Sequence, residues 1–570
     1  MRYRGLTLFA LALGVLMSMG ATAAQAAPLS FRVSFDQAVR AQPVDGRVYV
    51  IVAAKNAQDE PRLNIDVLGV PLWGKDVAAM QPGQQAIIDA GAEVYGYPYE
   101  ALSELPAGDY TVQAFLNIYT TVHRADGAVI QVRIPAGDGG YPYDSAGNLY
   151  STPVQLHLAP DAGPIDLVLD KVIKPGDVVP AGGTPQQGNP PESKHVKQFK
   201  MRSELVSTFW GTDMYMGATI LLPRDYDIPR NAKRDYPVVY LANHYTEEPP
   251  FGFVEPGNTP APAPDSGMGD WMSNPGFSKW WMADSTPRFI VVYFRSENPY
   301  YDDSYYVNSA NLGPYGDATV TELIPALQQR YRMYAAPWAR TIFGGSTGGW
   351  IAAAQPVLYP KFWAAGWPIS PDPVDFRSYQ IVNIFDDANA YITDNGFVQA
   401  PRPSCRTPQG DTMWTMAQEN HWQAAMATHG RSQLGQWDLW QALFGPVGAD
   451  GYPTALWDKQ TGVIDHAVAD TYKPMDLSLY VTAHWPTIGK DLKGKLHFLS
   501  GTGDNFFLNL AVDLFQQRTA KLKTGFTYKS VVGAGHVPSP SGGLMGQLMT
   551  MTKYMKNHAP RAADTWWWQR

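Results

Sequence analysis

The chain of 570 residues is predicted to hold an all-β, sandwich-like domain followed by an α/β domain with a largely parallel sheet. Three observations predict this. Residues 29–170 run as short alternating segments, such as "GRVYVIVAAK", "GDYTVQAFLNIYTTV" and "AVIQVRIP", broken by Gly, Pro and Asp. That is the pattern of a sandwich. After about Gln198, continuous apolar runs take over: "YPVVYLANH", "RFIVVYFR" and "RTIFGG". Such runs suit strands buried on both faces. Helical spacings, as in Val320, Leu323, Ile324 and Leu327, fall between them, so strand and helix alternate.

Taken in order, the first 26 residues read as a cleavable export signal. Arg2 and Arg4 precede the apolar run "LTLFALALGVLM", and Ala24-Gln25-Ala26 fits a small-x-small cleavage site. The run is shorter than a membrane span of roughly 20 residues, and no later stretch is long and apolar enough to span. The mature chain is therefore expected in the periplasm or outside the cell. Residues 28–172 form the β domain, read as a spacer or binding module. The Pro-, Gly- and Gln-rich residues 173–197 read as a linker. The α/β domain covers 198–560. It opens with "VSTFW" and "MGATILLP" around the turn "GTDMY", read as an antiparallel pair, and Pro325 marks a kink or late start in its helix. Residues 246–287 are a first excursion from the strand–helix rhythm. Residues 371–488 are a second, with helical stretches "MWTMAQENHWQAAMATHG" and "QWDLWQALFG". A structureless loop of that length is improbable in a compact domain, so a folded cap over one end of the sheet is expected. "SPDPVDFR", after the sixth strand, reads as an anchor of this insertion.

Composition narrows the function. The formal net charge is −8, and removing Arg2 and Arg4 makes it −10 (−8 − 2), which disfavours a nucleic-acid partner. The single cysteine, Cys405, has no partner for an internal disulfide. There is no H-E-x-x-H, cysteine cluster, Walker loop or dinucleotide glycine fingerprint, so neither metal nor cofactor is indicated.

The chemistry-bearing stretch is "RTIFGGSTGGWIAAAQPVLYP". Gly344-Gly345-Ser346-Thr347-Gly348 matches G-x-S-x-G, between an apolar strand and a helix with small Ala352, Ala353 and Ala354. A sharp strand-to-helix turn would expose Ser346 as a nucleophile, and the flanking glycines would let the backbone segments approach. The alternative is a glycine-rich structural loop. With chain order Ser, acid, His, His536 and His558 are the downstream histidines, and His536, in "VVGAGHVPSPSG" past a strand, is preferred. Asp504 in "GTGDNFF" is the acid, with a helix N-cap as its other reading; Asp513 looks helical and too distant. The oxyanion hole needs two backbone N–H donors: Thr347, and one from "LANHYTEE", with Tyr245 first and His244 next. His244 also reads as a pocket wall or core histidine. The loop of residues 298–318 carries Asp302, Asp303, Asn308, Asn311 and Tyr315. Ordinary loop hydrogen bonding, substrate contact through Asn308 and Asn311, and a Ca²⁺ site are its three readings, the last weakened by irregular ligand spacing.

The segments "YPVVYLANHY", "GGSTGG", "SGTGDNFFLN" and "GAGH" resemble the esterase D-like branch of the α/β-hydrolases, which includes feruloyl and acetyl-xylan esterases, siderophore esterases and mycolyltransferases. The resemblance spans most of the C-terminal two-thirds of the chain, with the large insertion between its motifs. Members commonly carry His-Gly after the third strand, where this chain has Asn243-His244-Tyr245. The resemblance implies an α/β-hydrolase fold and a serine esterase acting by acyl transfer on a small-molecule or polysaccharide-linked ester. An acyltransferase, a peptidase and a non-catalytic carbohydrate- or surface-binding protein are the alternatives. Trp414, Trp422, Trp437 and Trp440 of the insertion read as pocket lining for an aromatic or sugar-linked acyl group, or as the insertion's own core.

Overall fold

The computed structural model describes residues 27–135, 139–174, 191–258 and 270–568. The expected export signal and most of the expected linker lie outside the described residues. The C-terminal domain is built on eight strands: β1 (Val196–Arg202), β2 (Tyr215–Leu221), β3 (Val238–Leu241), β4 (Ile290–Arg295), β5 (Arg340–Ser346), β6 (Ala365–Pro371), β7 (His497–Gly501) and β8 (Thr527–Val531). Their order across the sheet is β1-β2-β4-β3-β5-β6-β7-β8. β2 runs antiparallel to both neighbours and every other pairing is parallel. This is the α/β-hydrolase fold. Every residue of β4 and of β6 is buried, which is why these strands read as unbroken apolar runs.

The helix Thr347–Leu358 packs on β5 and β6. Its alanine face permits close approach: a Cβ added to Gly366 of β6 would lie 2.0 Å from the Ala352 carbonyl oxygen. One local expectation needs correction. "VSTFW" lies in a helix, Glu204–Trp210, because Ser203 caps it by accepting from the Val206 N–H at 3.2 Å and Gly211 ends it at φ 65°. The partner of β2 is instead β1, which begins at Val196, ten residues before the Val206 where the sequence pattern put it. Pro325 sits in the first turn of the α segment Ile324–Arg330, in keeping with the late start read from the sequence. The missing N–H is absorbed by a wider π turn, Thr319–Leu323, between the α segments Tyr315–Ala318 and Ile324–Arg330.

In the N-terminal domain, Phe31–Phe35 lies between Ala86–Ile88 and Ile165–Leu169 in a three-stranded sheet. A second, eight-stranded sheet is centred on the pair Val44–Ala54 and Gly108–His123. Val48, Val50, Ala114 and Leu116 join Phe31, Val33 and Phe35 in the core between the sheets. Tyr49, Ile51 and Phe115 point the other way and pack with Trp422, Ala425 and Met426 of the insertion. The central strand is thus buried on both faces, and the domain is packed onto the cap rather than spaced from it.

Between β6 and β7 lie two hairpins (Ile392–Asp394 with Gln399–Pro401, Pro403–Arg406 with Thr412–Thr415) and the helices Met416–Met426, Gln436–Phe444 and His466–Thr471. The next helix, Leu477–Leu492, begins inside the span that the sequence assigns to the insertion. It packs against Thr347–Leu358 and Leu508–Thr519 and so belongs to the helical layer of the sheet, returning the chain to β7.

Candidate active site

β5 ends at Ser346, whose backbone sits at φ 57° and ψ −123°, and the helix begins at Thr347. A non-glycine residue in that region is strained and is held there by its surroundings. The surroundings are tight. A Cβ on Gly344 would lie 2.2 Å from the Ala242 carbonyl oxygen, and one on Gly348 would lie 1.9 Å from the same atom. Only glycine at both positions lets the end of β3, the strand β5 and the helix meet. Thr347 is the first helical residue, where a backbone N–H has no partner within the helix.

His536 is buried in the loop after β8, with its ring edge-on to Phe506 at 5.0 Å between centroids. Its Nδ1 lies 3.0 Å from Asp504 Oδ2, and its backbone N–H donates to Asn505 Oδ1 at 2.8 Å. Asp504, in the loop after β7, is fully buried. Its other oxygen accepts from the backbone N–H groups of Phe506 at 3.0 Å and Leu508 at 3.3 Å. One oxygen of this carboxylate therefore holds the helix entry and the other faces the imidazole. Burial alone would raise its pKa, but the His536 ring and the hydrogen bonds outweigh it and hold the carboxyl below the ordinary value. His558 hydrogen-bonds the Tyr554 carbonyl oxygen at the end of the C-terminal helix and Asp513 sits within Leu508–Thr519, neither at this site.

The Ser346 hydroxyl donates to Asp372 Oδ1 at 3.4 Å, and among the described residues no hydrogen bond joins it to His536. Asp372 directly follows β6 and is buried. Its Oδ2 accepts from Tyr305 Oη, from Gln436 Nε2 at 3.0 Å, from Thr347 Oγ1 at 3.2 Å and from Trp440 Nε1 at 3.3 Å. Burial pushes this carboxyl upward, opposed by the Tyr305 hydrogen bond, the charges of His244 and His536 and the Trp440 N–H, with a net rise. The sequence missed Asp372. A visible signal existed, an acidic residue at the catalytic end of a buried strand, but "SPDPVDFR" contains two candidates for one role. Asp375 is the anchor: it accepts from Ser478 Oγ at 2.6 Å and pairs with Arg377 and Arg518.

Ser346, His536 and Asp372 line one cavity of about 440 Å³. Trp414, Trp422 and Trp440 of the insertion and Phe506 form much of its apolar wall. Trp437 packs instead on Trp440, Trp457 and Tyr379 in the cap's own core, so the tryptophans divide between the two readings. The N-terminal domain supplies Asp66 and Val67 to the same cavity. Val67 is fixed from behind by the Tyr97 hydroxyl, which donates to its carbonyl oxygen at 2.7 Å.

From the loop after β3, Asn243 and His244 line the cavity. His244 is half-buried, with Nδ1 3.1 Å from Asp302. Burial works against its charge, but Asp302, with Asp372 and Asp303, prevails and raises its pKa to about 9. The Tyr245 side chain turns away: its ring lies 5.9 Å from the Arg295 guanidinium carbon and its hydroxyl donates to Glu247 at 3.3 Å. Asn308 and Asn311 do not reach the cavity. Asn308 Oδ1 accepts from the Asp317 N–H at 3.0 Å, and Asn311 Nδ2 donates to the carbonyl oxygens of Ala442 and Gly445 at 3.0 and 2.9 Å. Both are structural, tying the loop to a helix and to the cap. Among the described residues no group of His, Cys, Asp and Glu side chains is arranged to hold a metal ion, and no helix is long and apolar enough to cross a membrane.

Strand order and elbow together define the class, an α/β-hydrolase fold with a serine on the strand-to-helix turn. No family model and no curated protein matches the chain. Among solved structures it is similar to a ferulic acid esterase (14% identity, 63% of this chain and 98% of that one, TM-score 0.36). It is also similar to a fluorophosphonate-binding serine hydrolase of Staphylococcus aureus (12% identity, 63% and 98%, TM-score 0.35) and to an S-formylglutathione hydrolase from Agrobacterium tumefaciens (14% identity, 64% and 92%, TM-score 0.30).

Proposed function

We propose that the chain is an exported serine esterase, cleaving carboxylic esters through Ser346, His536 and Asp504. The observation that carries this reading is the 3.0 Å Asp504–His536 contact beside a serine on a strained elbow, opening into one aromatic-walled cavity. The carboxylate holds the Nδ1–H tautomer, leaving Nε2 free to act as base. For attack, the Ser346 hydroxyl turns from Asp372 towards His536 Nε2 and gives up its proton as Oγ bonds the ester carbonyl carbon. The oxyanion is met by the Thr347 N–H and by a second N–H from the Asn243–Tyr245 segment, with Tyr245 or His244 as donor. His536 then returns the proton to the departing alcohol, and water, deprotonated by the same imidazole, releases the acid from the acyl-enzyme.

Fluorophosphonate labelling of the wild type against Ser346→Ala is the test. Labelling that disappears in the variant supports the assignment; an unlabelled wild type sinks it. A panel of esters and matched amides, offered to unlabelled enzyme from the same preparation, then separates ester from amide cleavage.

A further inference from the structure

Asp372 has no step in the reaction just derived, yet it touches the nucleophile. Side chains from the loop after β4, the elbow and the cap converge on it, and they are distributed unevenly. Oδ2 takes the donors of Tyr305, Gln436, Trp440 and Thr347, whereas Oδ1, among the described residues, has the Ser346 hydroxyl alone, at 3.4 Å. Catalysis requires Ser346 to give its proton to His536, and at that moment Oδ1 loses its donor. A buried acceptor left unpaired is costly, and a carboxylate bare beside a developing oxyanion opposes the reaction.

We infer that the substrate replaces the lost donor: Asp372 Oδ1 selects esters whose acyl group bears a hydroxyl or amino group on the carbon next to the carbonyl or one carbon further. The inference rests on the esterase reading. Geometry assigns the donor to the acyl side. The leaving alcohol must face His536 and the oxyanion must face the Thr347 N–H, so the acyl group takes the remaining direction around the attacked carbon. A group two or three bonds from that carbon stays within the neighbourhood of Ser346 Oγ, and Oδ1 is already in contact with that oxygen. The carboxylate then makes a charge-assisted hydrogen bond to substrate, in place of the serine, during the step that needs it.

The test compares aryl esters of 2-hydroxy and 3-hydroxy acids with their 2-fluoro and 3-fluoro counterparts, which are similar in size but carry no proton; because fluorine withdraws electrons more strongly, each kcat/KM is first divided by that ester's own rate of alkaline hydrolysis. In the wild type, kcat/KM should favour the hydroxy ester by about tenfold in at least one series, the worth of one hydrogen bond to a charged group. Asp372→Asn, which keeps shape but presents N–H groups that either substituent can accept from, should bring the ratio close to one, with circular dichroism confirming its fold. A wild-type ratio near one in both series overturns the inference even if that variant does not fold. Fluorophosphonate labelling of Ser346 in the same preparation separates this failure from failure of the esterase reading: labelled protein without preference refutes the role of Asp372 alone, and unlabelled protein refutes both.

Discussion

Asp504→Asn tests the division of labour between the two oxygens of one carboxylate. In the folded chain one oxygen holds the Phe506 and Leu508 N–H groups at 3.0 and 3.3 Å and the other holds His536 Nδ1 at 3.0 Å. Asparagine has one carbonyl oxygen, and two backbone donors outcompete one ring nitrogen for it. The amide NH₂ is then turned to Nδ1, which must accept, and the imidazole proton moves to Nε2, the position that should be empty to receive the serine proton. The expected loss is about 10³–10⁴ in kcat, or about 4–5.5 kcal/mol of barrier. The fold should lose little, about 1–2 kcal/mol, because both backbone donors stay paired. Asp504→Ala should differ in stability rather than in rate, by a further 1–3 kcal/mol or so, since it strands those donors. The assay is turnover of an activated aryl ester alongside thermal melts followed by circular dichroism. If Asp504→Asn retains kcat within about tenfold of wild type while melting cooperatively, His536 does not depend on this carboxylate and the triad assignment is wrong.

Other outcomes follow from the same contacts. Gly348→Ala places a Cβ 1.9 Å from the Ala242 carbonyl oxygen, a backbone atom that cannot step aside. The helix must shift, costing about 1–3 kcal/mol or more and roughly 10²-fold in kcat through displaced donors; a wild-type melt and rate would show that the elbow tolerates a side chain. Arg47 is fully buried and donates to Ala425 O at 3.0 and 3.1 Å and to Asp76 at 2.7 Å. Arg47→Met should cost about 3–5 kcal/mol and raise KM, because Trp422 and Val67 share that seam; an unchanged KM in folded variant would argue that the β domain does not shape the cavity. His244 is held charged, so its contribution to stability is complete below its ordinary value of 6.5 and is lost as pH rises through about 9. Melting temperature should fall across that window in wild type and less in His244→Gln, and parallel curves would contradict the Asp302 pairing.

What could be read in the sequence was whatever local chemistry enforces. The unbroken apolar runs mark strands covered on both faces, the glycines of the elbow mark a backbone approach that admits no side chain, and the order of Ser346, Asp504 and His536 follows the order of the strands that carry them. Helix Glu204–Trp210 was misread because seven residues hold too few turns for periodicity, and its true signals were the cap Ser203 and the terminator Gly211. Asn308 and Asn311 illustrate a second limit. Polar residues in a loop near the catalytic edge are equally suited to hold substrate or to hold the cap, and only their partners at Asp317, Ala442 and Gly445 decide. Asp372 marks the deepest limit. Its donors Gln436, Tyr305 and Trp440 lie 64, 67 and 68 residues away, on segments with no pattern connecting them. The β domain was hidden in the same way: Tyr49 and Ile51 stand in one apolar run with Val48 and Val50, and the run does not say that alternate residues serve different partners. A site assembled from the elbow, a cap and a separate domain therefore places its chemistry in local motifs and its selectivity in long-range contacts. Divergence in the cap or in the Asp66–Val67 turn can change what fits the cavity while Ser346, Asp504 and His536 stay as they are.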